Sequence, residues 1–345
     1  MKISRLKARV TIREVARSAG VSVATVSRVF NNSDLVVKQT EEKIRSVARR
    51  LNYIPNASAR SLSMKRTETI GMLLPDMYGE FFPEIIRGAD AVARKERYHL
   101  LVSSSHSNRE ELETAIKLMS GRVDGFILMS PHFDDKSILM KFIQSIPTVF
   151  LSTTPALSNT DAITIDNVGG AKLATRHLID RGHHRIAIVK GCDENADAKE
   201  RFQGFLSAMK SGGESLREEY VLSGDFTERS GFAAAEKLLA LSSRPTAVFA
   251  SNDEMAIGVL RHLRERGVSV PDEIAVAGFD DIQISSLIHP SLTSIHVNIS
   301  ELGSLAVERL LFLLNSTAQQ TPRKRIVLPA TLIVRESTAA RNSLP

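Results

Sequence analysis

The chain has 345 residues, 43% of them hydrophobic, which is enough for two or three domains with real cores. No apolar run reaches the length of a membrane span. The N-terminus, MKISRLKARV, has no apolar stretch behind its charges, so it does not read as a secretory signal, and the single cysteine, Cys192, excludes an intrachain disulfide and fits a reducing cytoplasm. The net charge of +6 hides an asymmetry: residues 1–66 hold 15 Lys+Arg and 4 Asp+Glu, and the remainder holds 30 and 35. A basic head (+11) on a mildly acidic body (−5) suggests an anionic partner for the head alone, or else a solvated basic tail.

Thr11-Ile-Arg-Glu14 reads as a capping box opening a first helix, with Ile12, Val15, Ala16 and Ala19 at helical spacing. Gly20 predicts a left-handed end to that helix, and Ser22 can cap a second one after a tight turn. The second helix is VSVATVSRVF. Its valines favour strand, but its flanks force the helical reading, with Val26 and Val29 inward and Val23 and Ala24 outward. Thr40 is expected to cap a third helix carrying Ile44, Val47, Ala48 and Leu51. Two short helices about a tight turn make a helix-turn-helix unit, whose second helix enters a DNA major groove. Arg28 then suits a guanine edge, and Thr25 and Ser27 suit phosphates. The same spacing also fits a small helical bundle that contacts protein.

Pro55 stops the third helix, and Asn56 can cap a two-turn segment, Ala57 to Leu62. Two turns are too few for a stable isolated helix, so this is either a flexible linker or a helix that forms on a partner. Leu62 can serve as a wedge between base steps in a minor groove.

The stretches VTIREVARSAGVSVATVSRVFNN and LNYIPNASARSL closely resemble the head of the LacI/GalR family of bacterial transcription regulators, nearest its galactose-repressor branch. The resemblance implies a hinge helix at Asn56–Leu62, paired across a dimer, with Leu62 inserted at the centre of a pseudo-palindromic operator. Val23-Ala24 stands where lactose-type members carry a Tyr-Gln pair, so a lactose-type operator is disfavoured. Residues and resemblance together predict DNA contacts at Thr11, Ser22, Val23, Ala24, Thr25, Ser27, Arg28, Asn31, Tyr53, Asn56, Ala59 and Leu62.

From Thr67 apolar runs such as TIGMLLP, VDGFILM, RIAIVK, TAVFAS and EIAVAGF alternate with helical patterns. The helices are expected at Pro83–Lys95, Glu110–Met119, Gly169–Arg181, Ala198–Met209, Arg229–Leu241 and Asp253–Arg266. This is the pattern of parallel sheets covered on both faces, and the length calls for two α/β lobes. Open sheets bind ligands at the carboxyl ends of their strands. The polar residues there are Asp76, Ser103 to Ser105, Ser130, Ser152, Asp166, Asn252-Asp253 and Asp280-Asp281, with Arg201 at a helix start and Phe81-Phe82 able to stack on a sugar face. Asp, Asn and Ser equally favour turns and caps, so each has two readings.

The body's TIGMLLPDMYGEFFPEIIRGAD, ERFQGF, TAVFASNDEMAIGVL and EIAVAGFDD also look like this family's regulatory core, which is similar to periplasmic sugar-binding proteins. The resemblance implies an effector, a sugar or sugar derivative, at Arg201, Asn252 and Asp280, and more loosely at Asp76, Phe81, Ser104, Ser152 and Asp166. MYGE at 77–80 departs from the Ser-Asn often found before the aromatic pair. The domains expected are a head at 10–54, a hinge at 55–66 and a core at 67–340. The core's N-lobe would span about 67–163 and 292–325, and its C-lobe about 164–291 and 326–340. No leucine heptad follows, so a homodimer is expected. The fold class is thus an all-α helix-turn-helix head with a hinge helix on a two-lobed α/β, periplasmic-binding-protein-like core.

No phosphate loop, G-x-S-x-G or H-E-x-x-H motif is present, and no metal or cofactor is expected. His183-His184 reads as a surface loop and Cys192 as an inert thiol. The expected function is a cytoplasmic, nucleoid-associated repressor whose operator affinity an effector controls. A sugar-binding module, or a sugar-metabolising enzyme with a basic head of other purpose, is the rival. Substituting Leu62→Gly should weaken specific operator binding and DNA bending while leaving binding to random DNA nearly intact. Anisotropy titrations on both DNAs check this, and unchanged operator affinity rules out the wedge.

Overall fold

The computed structural model describes residues 10–30, 36–54, 66–129, 146–152, 160–316 and 322–339. Asn31, Asn56, Ala59, Leu62 and the rest of the proposed hinge segment 57–62, together with Ser130, lie outside the described residues. Contacts divide the chain into two units between Glu68 and Thr69.

The first unit holds three helices: α1 (Ile12–Ala19), α2 (Val23–Phe30) and α3 (Lys38–Arg50). The Glu14 carboxylate accepts the Thr11 N–H at 2.7 Å and the Thr11 hydroxyl at 3.0 Å, closing the α1 start. Gly20 ends α1 at φ 67°, a conformation costly for residues with a Cβ. The Ser22 hydroxyl then accepts the Thr25 N–H at 3.1 Å and opens α2. Val15, Ala16, Ala19, Val26, Val29, Ile44, Val47 and Ala48 form one small core. Thr40 is not a cap: α3 starts at Lys38 with Val37 before it, so Thr40 sits inside the first turn. The helix begins three residues further towards the N-terminus than a Thr40 cap implies, with the straight-chain Lys38 and Gln39 in its first turn.

The second unit contains two six-stranded sheets. The first has the order β2-β1-β3-β4-β5-β11, from β1 (Thr69–Leu74), β2 (His99–Ser104), β3 (Gly125–Met129), β4 (Thr148–Leu151), β5 (Ala162–Ile165) and β11 (Arg325–Leu328). Every pairing in it is parallel. The second has the order β7-β6-β8-β9-β10-β12, from β6 (Ile186–Lys190), β7 (Val221–Ser223), β8 (Ala247–Ala250), β9 (Ala275–Asp280), β10 (Thr293–His296) and β12 (Thr331–Ile333). Only β12 runs antiparallel there. The central strands are buried throughout, as the continuous apolar runs required. The helices α4 (Phe81–Lys95), α5 (Arg109–Met119), α6 (Asn167–Asp180), α7 (Ala196–Ser211), α8 (Glu228–Leu239) and α9 (Asp253–Glu265) lie close to the expected spans, and α10 (Ile299–Asn315) is a further helix outside those spans.

The chain passes between the sheets three times, after β5, β10 and β11. This corrects the expected lobe limits. Strand β10 pairs with β9 in the second sheet rather than joining the N-lobe, while the ends of β5 and β11 remain in the first. A strand changes lobe only after its ladder is complete, so each crossing falls at the end of a strand. Helices α4 and α10 are brought together backbone to backbone. A Cβ on Gly88 would stand 1.8 Å from the Ser300 carbonyl oxygen, and one on Gly303 would stand 2.0 Å from that of Ile85. Gly88→Ala must therefore push the two helices apart. It should cost roughly 3 kcal/mol or more, measured as a shift in urea midpoint with an unchanged slope.

Candidate functional site

On the head, α2 presents a face of short side chains. Ser22, Val23, Ala24 and Arg28 are exposed, Val23 to 42%, while Val26 and Val29 are buried. Thr25 and Ser27 are half-buried on the flank, and Thr11 is exposed at the start of α1. The Thr25 hydroxyl lies 2.8 Å from that of Ser22, so the two hydroxyls are held together at the N-terminus of α2. Tyr53 packs edge-on against Phe30, ring centroids 5.6 Å apart, and Arg45 Nη2 donates to the Val29 carbonyl at 3.3 Å. These contacts fix the C-terminal end of α2 against α3. A groove reader needs such a pinned helix with small outward residues that admit close backbone approach.

In the second unit, a cavity of about 160 Å³ opens between the two lobes. The first lobe contributes the turn after β1 (Pro75, Asp76, Tyr78, Gly79, Glu80), Phe81 and Phe82 of α4, Ser107 and Met129. The second contributes Asn195, Asp197 and Arg201 around the start of α7, then Asp225 to Thr227, Asn252, Glu254, Asp280 and Ile282. Most of these follow the carboxyl ends of parallel strands, where the strand-to-helix turns expose polar groups.

Arg201 organises the floor and is only 3% exposed. Its Nε donates to the Asn167 side-chain oxygen at 2.9 Å and its Nη1 to the Ser251 carbonyl at 2.5 Å. Its Nη2 stands 3.1 Å from Asp280 Oδ1, an ion pair without full hydrogen-bond alignment. The guanidinium lies over the Phe279 ring, 3.8 Å from its centroid. Asp280 is buried and held at φ 101°, a left-handed strain that turns its carboxylate toward the cleft. Burial pushes its pKa up to about 6, with Asp197 and Glu254 adding to the rise and Arg201 opposing it. Asn252 caps α9, accepting the Met255 N–H at 3.0 Å, and donates to the Phe226 carbonyl at 3.0 Å. Phe81 and Phe82 meet edge to face at 5.4 Å.

Of the effector residues expected from sequence, Asp76, Phe81, Arg201, Asn252 and Asp280 line this cavity, and Ser104, Ser152 and Asp166 do not. Ser104 donates to the Pro75 carbonyl at 3.2 Å and holds a turn. Ser152 is buried at the end of β4, its N–H paired with the Ile163 carbonyl at 3.1 Å. Asp166 caps α6 through the Gly169 N–H at 2.8 Å. Asp253 is structural too: its carboxyl accepts the Ile282 N–H at 3.0 Å and the Ser285 and Ser294 hydroxyls at 2.6 Å each. Sequence reasoning missed Tyr78, Glu80, Asn195, Asp197, Asp225 and Glu254. The strand-end rule would have found Asp225 had the short strand β7 been recognised. His183 and His184 face Thr246 and Glu214, and among the described residues no group of His, Cys, Asp and Glu could hold a metal ion. Burial pushes the Cys192 thiol up, which keeps it protonated and unreactive.

Residues 11–56 match the model for bacterial regulatory proteins of the lacI family, and residues 175–338 match that for a periplasmic binding protein-like domain. The ribose operon repressor of Escherichia coli strain K12 is 36% identical over 319 residues, covering 92% of this chain and 96% of that protein. Catabolite control protein A of Priestia megaterium is 35% identical, covering 95% of this chain and 99% of its own. Among solved structures, the Lac repressor dimer bound to operator and the anti-inducer ONPF superposes with a TM-score of 0.86 at 31% identity, covering 96% of this chain and 100% of that one. A complex of the transcriptional regulator CelR with cellobiose gives 0.73 at 32% identity, covering 95% and 100%. With a helix-turn-helix head, a two-lobed core and repressors aligned along nearly its whole length, the chain belongs to the lacI family and is a DNA-binding transcriptional repressor, not an enzyme.

Proposed function

We propose that this repressor acts as a homodimer on a pseudo-palindromic operator at the cytoplasmic nucleoid, and that a sugar or sugar derivative in the cleft between its lobes sets its operator affinity. The observation that carries the reading is the cleft floor. A buried Arg201–Asp280 pair, Asn195, Asp197 and Asn252 offer donors and acceptors, and Phe81, Phe82 and Phe226 offer apolar faces. This combination suits a polyol ring, with hydroxyls on its edge and C–H groups on its faces. The ribose operon repressor and the cellobiose complex among its relatives support the ligand class. The operator-bound Lac repressor dimer supports the assembly and the DNA partner.

Each recognition helix then takes one half-site. Arg28 reads a base edge, Val23 and Ala24 make apolar contact, and Ser22, Thr25 and Ser27 position phosphates. Thr11, Asn31, Tyr53, Asn56, Ala59 and Leu62 complete the proposed DNA-facing set. A ligand that touches both lobes favours one lobe arrangement over the other, and this difference is what reaches the DNA. A coupling of about 1–3 kcal/mol suffices for regulation.

Two measurements test the reading. Arg28→Ala should lower operator affinity by roughly 10- to 100-fold with little loss on random DNA, a discrimination of about 1–3 kcal/mol. An equal loss on both would make Arg28 a phosphate contact. For the cleft, Asp280 accepts ligand hydroxyls best when ionised. Because its carboxyl titrates at about 6, ligand affinity should rise roughly tenfold from pH 5 to 7 and level off above. Asp280→Asn should flatten that rise. Calorimetric titration at several pH values checks it, and a slope retained in Asp280→Asn would remove Asp280 from the site.

A further inference from the structure

The charges around the cleft are unbalanced. Among the described lining residues, Asp76, Glu80, Asp197, Asp225, Glu254 and Asp280 are acidic, and only Arg201 is basic. Arg201 is already committed to Asn167, Ser251 and Asp280. Several of the carboxylates already have a structural bond through one oxygen: Asp76 accepts the Met77 N–H and Asp225 the Thr227 N–H within their own loops, and Asp197 accepts the Asn167 amide of α6. These bonds account for the placement of the carboxylates but not for their number.

Two of the six approach each other from opposite lobes. Glu80 precedes α4 of the first lobe, and its Oε2 accepts the Ile284 N–H of the second at 3.2 Å. Glu254 opens α9 of the second lobe and lies against the turn before Glu80. A Cβ placed on Gly79 would be 2.9 Å from Glu254 Oε1. Burial holds the Glu254 carboxyl above its ordinary value, and the neighbouring Glu80 charge raises it further. A neutral sugar would donate hydroxyls to these groups and leave their mutual repulsion in a site it had just dehydrated. A cation would remove it. The rings of Tyr78, Phe81, Phe82 and Phe226 on the same walls favour a cation as well, through their π faces.

We propose that the effector carries a protonated amine, as an amino sugar does, and that Glu80 and Glu254 hold this amine between the two lobes. The inference rests on the reading of the cleft as the effector site and narrows its ligand class. It also supplies a sign. Each carboxylate already accepts a backbone N–H from the opposite lobe, Glu80 from Ile284 and Glu254 from Glu80, so an ammonium set between them adds a contact to both lobes and offsets their mutual repulsion. The ligand therefore binds the closed arrangement better, which is the differential affinity that regulation requires.

The test is calorimetric titration of the full chain at pH 7 with glucosamine, galactosamine and mannosamine, each beside its parent hexose and its N-acetyl derivative. At least one amino sugar should bind about tenfold or more tightly than its parent, and N-acetylation, which removes the charge, should abolish the gain. Glu80→Gln and Glu254→Gln should each reduce the amino-to-parent affinity ratio about tenfold, with thermal unfolding confirming that both variants fold. Parent hexoses that bind as tightly as their amino forms would overturn the amine proposal and leave the sugar reading standing. An amino-sugar preference retained in both variants would overturn the assignment of Glu80 and Glu254. Heats absent from all nine compounds would overturn the proposal and the sugar reading together.

Discussion

The second unit is organised around one costly object, the guanidinium of Arg201 taken out of water. An ion of that size carries a desolvation penalty of several kcal/mol unless its donors and charge are matched. Here the match is spread over separate elements: Asn167 opening α6, the Ser251 carbonyl after β8, and Asp280 closing β9, with the Phe279 ring beneath. Asn167 is in turn held by donating to Asp197 at 2.9 Å and Glu200 at 3.0 Å. Satisfying Arg201 therefore fixes the relative positions of three strand-to-helix turns. Those turns form the floor of the cleft, so the group that orders the lobe also orders the site.

Two aspartates near this floor do opposite work because their surroundings differ. Asp253 is fully buried and receives three donors, which pin residues 282–285 and β10 to the start of α9. Burial, and then the Asp280 charge, raise its pKa to about 8, so it resists ionisation at neutral pH. Asp280 keeps Arg201 as a counter-charge and ionises near 6, leaving it charged and available to the cleft at neutral pH. The next residue, Asp281, pairs with Arg335 at 2.7 Å and His296 at 2.9 Å, tying the exit of β9 to the chain near two of the crossings. Three consecutive jobs, namely locking the loop, facing the cleft and bracing the crossings, thus fall to carboxyls within one small neighbourhood.

Local chemistry was legible in the sequence and inter-lobe geometry was not. Thr11, Glu14, Gly20 and Ser22 act within four residues of themselves, so their pattern alone identifies α1, the turn and α2. The continuous apolar runs identify parallel strands because burial on both faces leaves no alternation to read. A run does not say which sheet it joins, so nothing in the sequence around β10 corrects the crossing near residue 290 that the family resemblance implies. The same ambiguity governs the cleft. Ser104, Ser152 and Asp166 resemble Asp76 and Asn252 in sequence because caps, turns and ligand contacts all favour small polar side chains. Only the packed lobes separate them. Glu80 and Glu254 lie 174 positions apart in the chain (254 − 80), and no periodicity or motif relates them.

The charge distribution constrains how control can reach DNA. The basic segment, with 15 Lys+Arg against 4 Asp+Glu in residues 1–66, attracts any duplex, and this attraction depends on salt rather than on base sequence. The described cleft residues all fall between Pro75 and Ile282, outside that segment. The cleft lining includes none of those basic side chains, so in the proposed reading the ligand acts on something other than the basic charges. What a ligand can change is the geometry that lets two copies of α2 meet two half-sites in register. In the proposed reading, regulation by geometry alters the preference for the operator and leaves the attraction to any duplex as it was. The DNA contact proposed for the exposed Val23 and Ala24 suits such a preference: apolar contact gains nothing from charge and is lost as soon as the fit is displaced.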